Sequence, residues 1–250
     1  MNEPWTISVA AITHMGCVRS NNEDCIAIGG WLQGEPMEAP QIWEQQLEDS
    51  AVVCMVFDGM GGHADGEVAA RLSAEYLARE LPPCADELSV GRCIERANQN
   101  LFESMYANPA QLGMGTTLAG VRVSQDAVLV FNVGDSRVYR AQEGCMVQLS
   151  IDDVQRERGN SRRTNLITQS LGGAPYPTDI EPHVSRMKIG VPGTYLLCSD
   201  GLYDALDVDT IETTLEEQDD LASAAALLIE RALAARARDN VSVILIRLSR

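Results

Sequence analysis

This sequence is missing several of the features that set a protein's broad class. Its longest uninterrupted apolar run is the seven residues from Ala51 to Phe57, far short of the roughly 20 that cross a bilayer as a helix. No membrane-spanning helix is expected. No Lys or Arg precedes Arg19, and the opening residues lack the basic start and apolar centre of a signal peptide, so a cytoplasmic location is the expectation. The seven cysteines (Cys17, Cys25, Cys54, Cys84, Cys93, Cys145 and Cys198) are odd in number and never fall as C-x-x-C. That pattern points to neither a disulfide framework nor a zinc site, and reduced thiols packed mostly as small core residues are expected. Positive charge is also scarce: 19 Lys and Arg face 36 Asp and Glu, a formal net charge of -17. Binding along a nucleic-acid backbone needs clustered cationic side chains to displace counterions, so nucleic acid is excluded as a partner.

What the chain does have is enough apolar material, 45% of 250 residues, to build the core of a single domain over residues 1–250. Thr6 to Thr13 and Ala51 to Phe57 read as buried strands, with a surface loop or short excursion from Gly29 to Ser50 between them. Helical spacing runs from Gly66 to Leu81, where Pro82 and Pro83 stop it, and a second helix is expected from Asp86 to Tyr106. Short β-prone segments follow at Thr116 to Val123, Ala127 to Val133, Arg137 to Ala141 and Met146 to Leu149, a pattern expected to form one antiparallel meander. Further strands are expected at His183 to Ile189, Tyr195 to Cys198 and Val241 to Leu248, with an apolar helix at Leu221 to Ala235. Strands in runs, with helices grouped between them, indicate the α+β class.

Aspartates collect where these strands begin or end. Asp58 follows VVCMVF, Asp135 follows FNVG, Asp200 follows YLLCS and Asp239 precedes VSVILIR. One aspartate after a strand is usually a turn residue. Four that converge repel one another unless a cation compensates. Oxygen ligands without His or Cys suit Mg²⁺ or Mn²⁺ rather than Zn²⁺, and Gly59 lets the main chain approach a ligand so that its carbonyl can join the shell. The run from Gly16 to Asp24 adds Arg19, whose planar fork of donors matches phosphate oxygens, and Glu23 and Asp24, which can accept hydrogen bonds from water on an ion.

The segments GCVRSNNED, VFDGMGGHADGEVAA, MGTTLAG, FNVGDSRVYR, LLCSDGLYDAL and ARDNVSVILI, in this order, resemble the bacterial form of the metal-dependent type 2C protein phosphatases. The resemblance covers nearly the whole chain. It implies an αββα sandwich of two antiparallel sheets with helices outside, and Mn²⁺ or Mg²⁺ as cofactor, two ions with a third possible. By position, Asp58 would bridge two ions, the Gly59 carbonyl would bind one, and Asp200 and Asp239 would bind the other. Glu23 and Asp24 would act through water, Asp135 matches a third-ion position, Asn240 adjoins a metal-binding aspartate, and Arg19 matches the phosphate-binding arginine. The implied activity is hydrolysis of phosphoserine and phosphothreonine in protein substrates, opposing a cognate Ser/Thr kinase; no dimerisation segment stands out in the sequence, so a monomer is the default expectation. A weakly active or inactive signalling scaffold with the same fold is the alternative, although such a protein should have lost metal ligands. A two-metal nuclease should show a basic groove.

Two departures from the family pattern stand out. Met60 occupies a place where some relatives carry histidine, and it cannot donate a proton to a leaving group; the nearest histidine is His63. The segment IDDVQRERGNSRRTN, about residues 152–165, is shorter than the family's flap, yet it concentrates Arg156, Arg158, Arg162 and Arg163 where they can attract an acidic or phosphorylated substrate.

Overall fold

The computed structural model describes residues 4–48, 50–61, 65–142, 145–156, 163–190 and 192–250. The chain begins with β1 (Thr6–His14), β2 (Asp24–Ile28), β3 (Trp31–Gln33), β4 (Gln41–Gln46) and β5 (Val52–Met60), followed by helices α1 (Asp65–Glu80) and α2 (Glu87–Ala107). Strands β6 (Gly115–Thr116), β7 (Leu118–Val123), β8 (Ala127–Val133), β9 (Arg137–Gln142) and β10 (Cys145–Gln148) come next, then β11 (Val154–Arg156), β12 (Arg163–Ile167), β13 (Leu171–Gly172), β14 (His183–Lys188) and β15 (Gly193–Cys198). Helices α3 (Asp200–Tyr203), α4 (Val208–Glu217) and α5 (Leu221–Ala234) precede the last strand, β16 (Val241–Ser249).

Among the described residues the strands form two large antiparallel sheets and a small β11–β12 hairpin. One sheet runs β10-β9-β15-β16-β1-β4, the other β13-β6-β5-β7-β8-β14, with β2 also paired to β5 and β3 to β2. Their facing sides close over Ile7, Val9, Val56, Val121, Val130, Leu197, Ile244 and Ile246, all buried. The outer face of the β5 sheet packs on α1 and α2 through Phe57, Phe131, Leu77 and Ile94. The outer face of the β16 sheet packs on α3, α4 and α5 through Leu196, Leu245, Ile211 and Leu228. The result is the helix, sheet, sheet, helix layering that the resemblance implies. Central strands covered on both faces become near-continuous apolar runs, which explains VVCMVF and VSVILI.

The helices carry their own start signals. Asp86 accepts from the Ser89 amide at 2.8 Å, and the Ser89 hydroxyl accepts from the Asp86 amide at 3.2 Å, so the pair closes a capping box on α2. Asp207 and Asp220 cap α4 and α5 in the same sense. None of the described helices is long and apolar enough to cross a membrane.

Two expectations are corrected. Residues 29–50 are not all loop: Trp31–Gln33 is a strand paired with β2, and Gln41–Gln46 is an edge strand paired along β1, from Thr6↔Gln46 to Ala11↔Gln41. The segments from Thr116 to Leu149 do not form one meander either. β7 and β8 pair in one sheet, whereas β9 pairs with β10 and β15 in the other. The chain changes sheets at Gly134, Asp135 and Ser136, and that crossing sets Asp135 at the end of the sandwich where the other aspartates lie.

Candidate metal centre

Asp58 lies inside β5 rather than in a turn after it. Its main chain is pinned on one side, where the Thr117 amide donates to the Asp58 carbonyl at 2.9 Å and the Asp58 amide donates to Thr117 Oγ1 at 3.2 Å. Thr116 Oγ1 donates to the same carbonyl at 3.0 Å. Directly across the β2–β5 ladder stands Asp24, a like-charge pairing that destabilises a sheet unless something offsets it.

Asp24 is offset in part from within. Its Oδ2 accepts from the Ser199 hydroxyl at 2.7 Å and the Ser242 hydroxyl at 2.6 Å. Ser199 Oγ in turn accepts from the Ser242 amide at 3.0 Å, and Thr13 joins through its hydroxyl at 2.8 Å from Ser242 Oγ. Burial nonetheless pushes the Asp24 carboxyl up to about 7, because removing a carboxylate from water disfavours its charged form. Asp24 Oδ1 is buried and has no hydrogen-bond partner.

Asp200 opens α3 and is likewise pushed up to about 7, first by burial and then by Asp135 and Asp239. Its Oδ1 is a second buried acceptor without a partner. Gly201 lets this turn close on the main chain of Asn240: a Cβ at Gly201 would collide with the Asn240 carbonyl. Burial holds Asp58 well above the usual carboxylate range, reinforced by Asp24, Asp200, Asp239 and Asp135 in that order. Asp135, also raised by burial, has its carbonyl oxygen held by the Tyr203 hydroxyl at 3.0 Å. These fields tie the four sequence-predicted aspartates and Asp24 into one electrostatic cluster.

The loop carrying Arg19 and Glu23 is fastened by Asn240. Its Nδ2 donates to the carbonyls of Met15 at 3.0 Å and Asn21 at 2.9 Å, its Oδ1 accepts from the Glu23 amide at 2.9 Å, and its own amide donates to Asp239 Oδ1 at 2.9 Å. Arg19 reaches the cluster directly, with a terminal nitrogen 2.7 Å from Asp239 Oδ2. Gly59 sits where the Glu23 carbonyl and Gly66 crowd in; a Cβ there would collide with both. Glycine is therefore required for β2, β5 and the start of α1 to meet.

Among the described residues no three carboxylate, imidazole or thiol groups close on one point as a preformed cage. The donors fit a hard divalent cation all the same. They are oxygens throughout, two of them are buried and unpartnered, and ions of this kind keep several waters rather than demand an all-protein shell. His63, Arg158 and Arg162 lie outside the described residues, and Arg156 and Arg163 fall on β11 and β12. The serines and threonines around Asp24 and Asp58 escaped the sequence reading. The signal was present as hydroxyls set inside apolar runs, as in Leu197-Cys198-Ser199 and Val241-Ser242-Val243.

Comparison with known proteins agrees with this architecture. The chain is 30% identical over 250 residues to the serine/threonine protein phosphatase PstP of Mycobacterium tuberculosis, covering 94% of this chain but 44% of that protein, so it spans under half the length of that relative. It is 28% identical to the serine/threonine phosphatase stp of Listeria innocua, covering 94% of this chain and 93% of the relative. The crystal structure of the PstP catalytic domain in complex with two manganese ions superposes with a TM-score of 0.78 at 28% identity, over 98% of this chain and all of that one. Residues 42–243 match the family model described as protein phosphatase 2C, and with this fold and this carboxylate cluster the chain belongs to the protein phosphatase 2C family.

Proposed function

We propose that this protein is a metal-dependent phosphatase that removes phosphate from phosphoserine and phosphothreonine side chains of proteins. The observation that carries this reading is the meeting of Arg19 with the aspartates at one end of the sandwich, a phosphate-binding cation touching a cluster of carboxylates that strains against its own charge. Asp58, the Gly59 carbonyl, Asp200 and Asp239 would hold two Mn²⁺ or Mg²⁺ ions, with Glu23 and Asp24 acting through water and Asp135 serving a weaker third ion. When bound, such ions supply Lewis acidity toward the phosphoryl oxygens and the attacking water.

The chain's own residues do the positioning. Arg19, anchored at its base by the Asn240-held loop, turns its guanidinium from Asp239 to the phosphate and fixes it for in-line displacement. Asp58, rigid in its strand, keeps the donor set registered against the phosphorus. Met60 offers no proton, so a water molecule protonates the leaving alkoxide. The four flap arginines, at 156, 158, 162 and 163, draw acidic or phosphorylated segments toward the site. The substrates are proteins phosphorylated by a cognate Ser/Thr kinase, and the protein works as a cytoplasmic monomer.

The test is hydrolysis of p-nitrophenyl phosphate and of a phosphothreonine peptide with added Mn²⁺. Turnover of both, abolished by EDTA and by Asp58→Asn, is the expected result. Failure of the wild type on both substrates across Mn²⁺ and Mg²⁺ would overturn the reading in favour of a binding scaffold.

A further inference from the structure

The cleft beside the carboxylates contains two arginines to which the proposed chemistry gives no role. Arg236 and Arg238 line a space of about 560 Å³ together with Arg19, Asp200, Asp204 and Asp239. Arg19 is paired with Asp239. Arg236 and Arg238 are exposed, and among the described residues neither guanidinium forms a hydrogen bond or an ion pair.

Arg236 is held there against its backbone preference. Its φ is 62°, the one positive value at a non-glycine residue among the described residues. It follows the end of α5, where the Arg236 amide donates to Leu233 and the Ala237 amide to Ala232, both at 2.9 Å. This is the left-handed position at which a helix usually ends on glycine, which bears no steric penalty there. A bulky side chain in a sparsely populated backbone region is one way in which a functional group is kept in place. In a protein of net charge -17, an acidic substrate meets general repulsion, so unpaired cations at the mouth of the site decide whether it docks.

We infer that Arg236 and Arg238 form a subsite for an anionic group flanking the phosphorylated residue, and that this group is a carboxylate side chain. Because both arginines line the same cleft as Arg19, the carboxylate would come from a residue near the phosphorylated one in the substrate chain. The inference rests on the phosphatase reading and names its substrate class, phosphoproteins with acidic residues beside the phosphosite.

The experiment compares the wild type, Arg236→Gly, Arg238→Gln and the double variant, as full chains with Mn²⁺. Their substrates are a phosphothreonine peptide with aspartate flanks, the same peptide with neutral flanks, a version with a second phosphate in place of the aspartates, and p-nitrophenyl phosphate. The wild type should prefer the aspartate-flanked peptide by about tenfold in kcat/KM, mostly through KM, and the preference should shrink at 0.5 M NaCl. Each single variant should lose about threefold of it, the size an exposed ion pair supplies, and the double variant most of it, the remainder being the pull of the flap arginines. Activity on p-nitrophenyl phosphate should stay within about twofold. Arg236→Gly should keep its Tm, since glycine accepts the left-handed backbone. No flank preference in the wild type, or a preference undiminished in the double variant, would overturn the subsite while leaving the phosphatase reading intact. A preference confined to the doubly phosphorylated peptide would overturn the carboxylate assignment, and an inactive wild type would overturn both readings.

Discussion

Replacing Asn240 by alanine tests how the site is assembled. Asn240 is 3% exposed, and its side chain makes three hydrogen bonds, to the carbonyls of Met15 and Asn21 and from the amide of Glu23. Each such bond contributes about 0.5 to 1.5 kcal/mol net, and more where the remaining partner is left buried and unpaired. Three together give about 2 to 4 kcal/mol. For a domain of this size 1 kcal/mol moves Tm by roughly 2 to 4 °C, so Asn240→Ala should melt roughly 5 to 15 °C lower. The activity effect should exceed what stability alone explains, because the released loop carries Arg19 and Glu23. At a temperature well below the new Tm, KM for p-nitrophenyl phosphate should rise and kcat should fall. Asn240→Asp is the sharper control. It keeps the acceptor for the Glu23 amide but turns a second oxygen toward two carbonyls and adds charge beside Asp239, so it should be worse than alanine. Calorimetric melts and Mn²⁺-dependent kinetics measure both effects. An Asn240→Ala protein with Tm within about 2 °C of wild type and an unchanged KM would refute the idea that this amide holds the loop.

Three further outcomes are expected. Arg19→Ala should lower kcat/KM for phosphoesters by about 10- to 100-fold, the scale of a lost charge-assisted phosphate contact. Mn²⁺ affinity by titration calorimetry should hold or rise, since Asp239 is freed from its 2.7 Å ion pair; a collapse of affinity would refute the assignment. Asp24 and Asp200 titrate near 7 in the folded protein against about 3.8 otherwise. Between those values the folded state holds protons that the unfolded chain has released, so stability from this source is full below about pH 4 and lost as pH rises through 7. EDTA-treated protein should thus melt lower at pH 8 than at pH 5.5, and the Tm gain on adding Mn²⁺ should be larger at pH 8; a flat profile would refute it. Metal-free Asp58→Asn should melt above metal-free wild type at pH 8, and Mn²⁺ should stabilise it far less.

Central strands were the most legible part of the fold. β5 and β16 are covered on both faces, and burial on both sides leaves apolar runs that a sequence shows directly. β4 was missed because Gln41–Gln46 is an edge strand whose residues alternate between exposed and half-buried, and Trp43 is its only large contribution to the core between the sheets. The meander was misread for a different reason. Strand propensity says where a strand lies but not which sheet it joins, and the crossing at Asp135 is decided by packing between sheets. Helices α2 and α5 were read close to their observed bounds, whereas α4 was not read, although Asp207 leaves at its start the local signature of a capping aspartate.

The site divides along the same line. Aspartate positions could be read because charge at the end of a core strand is conspicuous, but their differing circumstances come only from register. The pairing of Asp24 with Asp58, and of Thr13 with Ser242, joins stretches that lie far apart in the chain. Register gives Asp24 two serine hydroxyls of its own. Asp58, by contrast, has no side-chain hydrogen bond among the described residues, and four other carboxylates raise its titration. Asp58 is half-buried, so water meets part of its charge, and a proton or a cation from outside would relieve the repulsion from its neighbours. Asp24 therefore has one oxygen met within the fold and the other left without a partner, whereas Asp58 has neither oxygen met by a side chain and is the carboxylate that would gain most from the ion proposed here, in a cluster that Arg19 joins through Asp239.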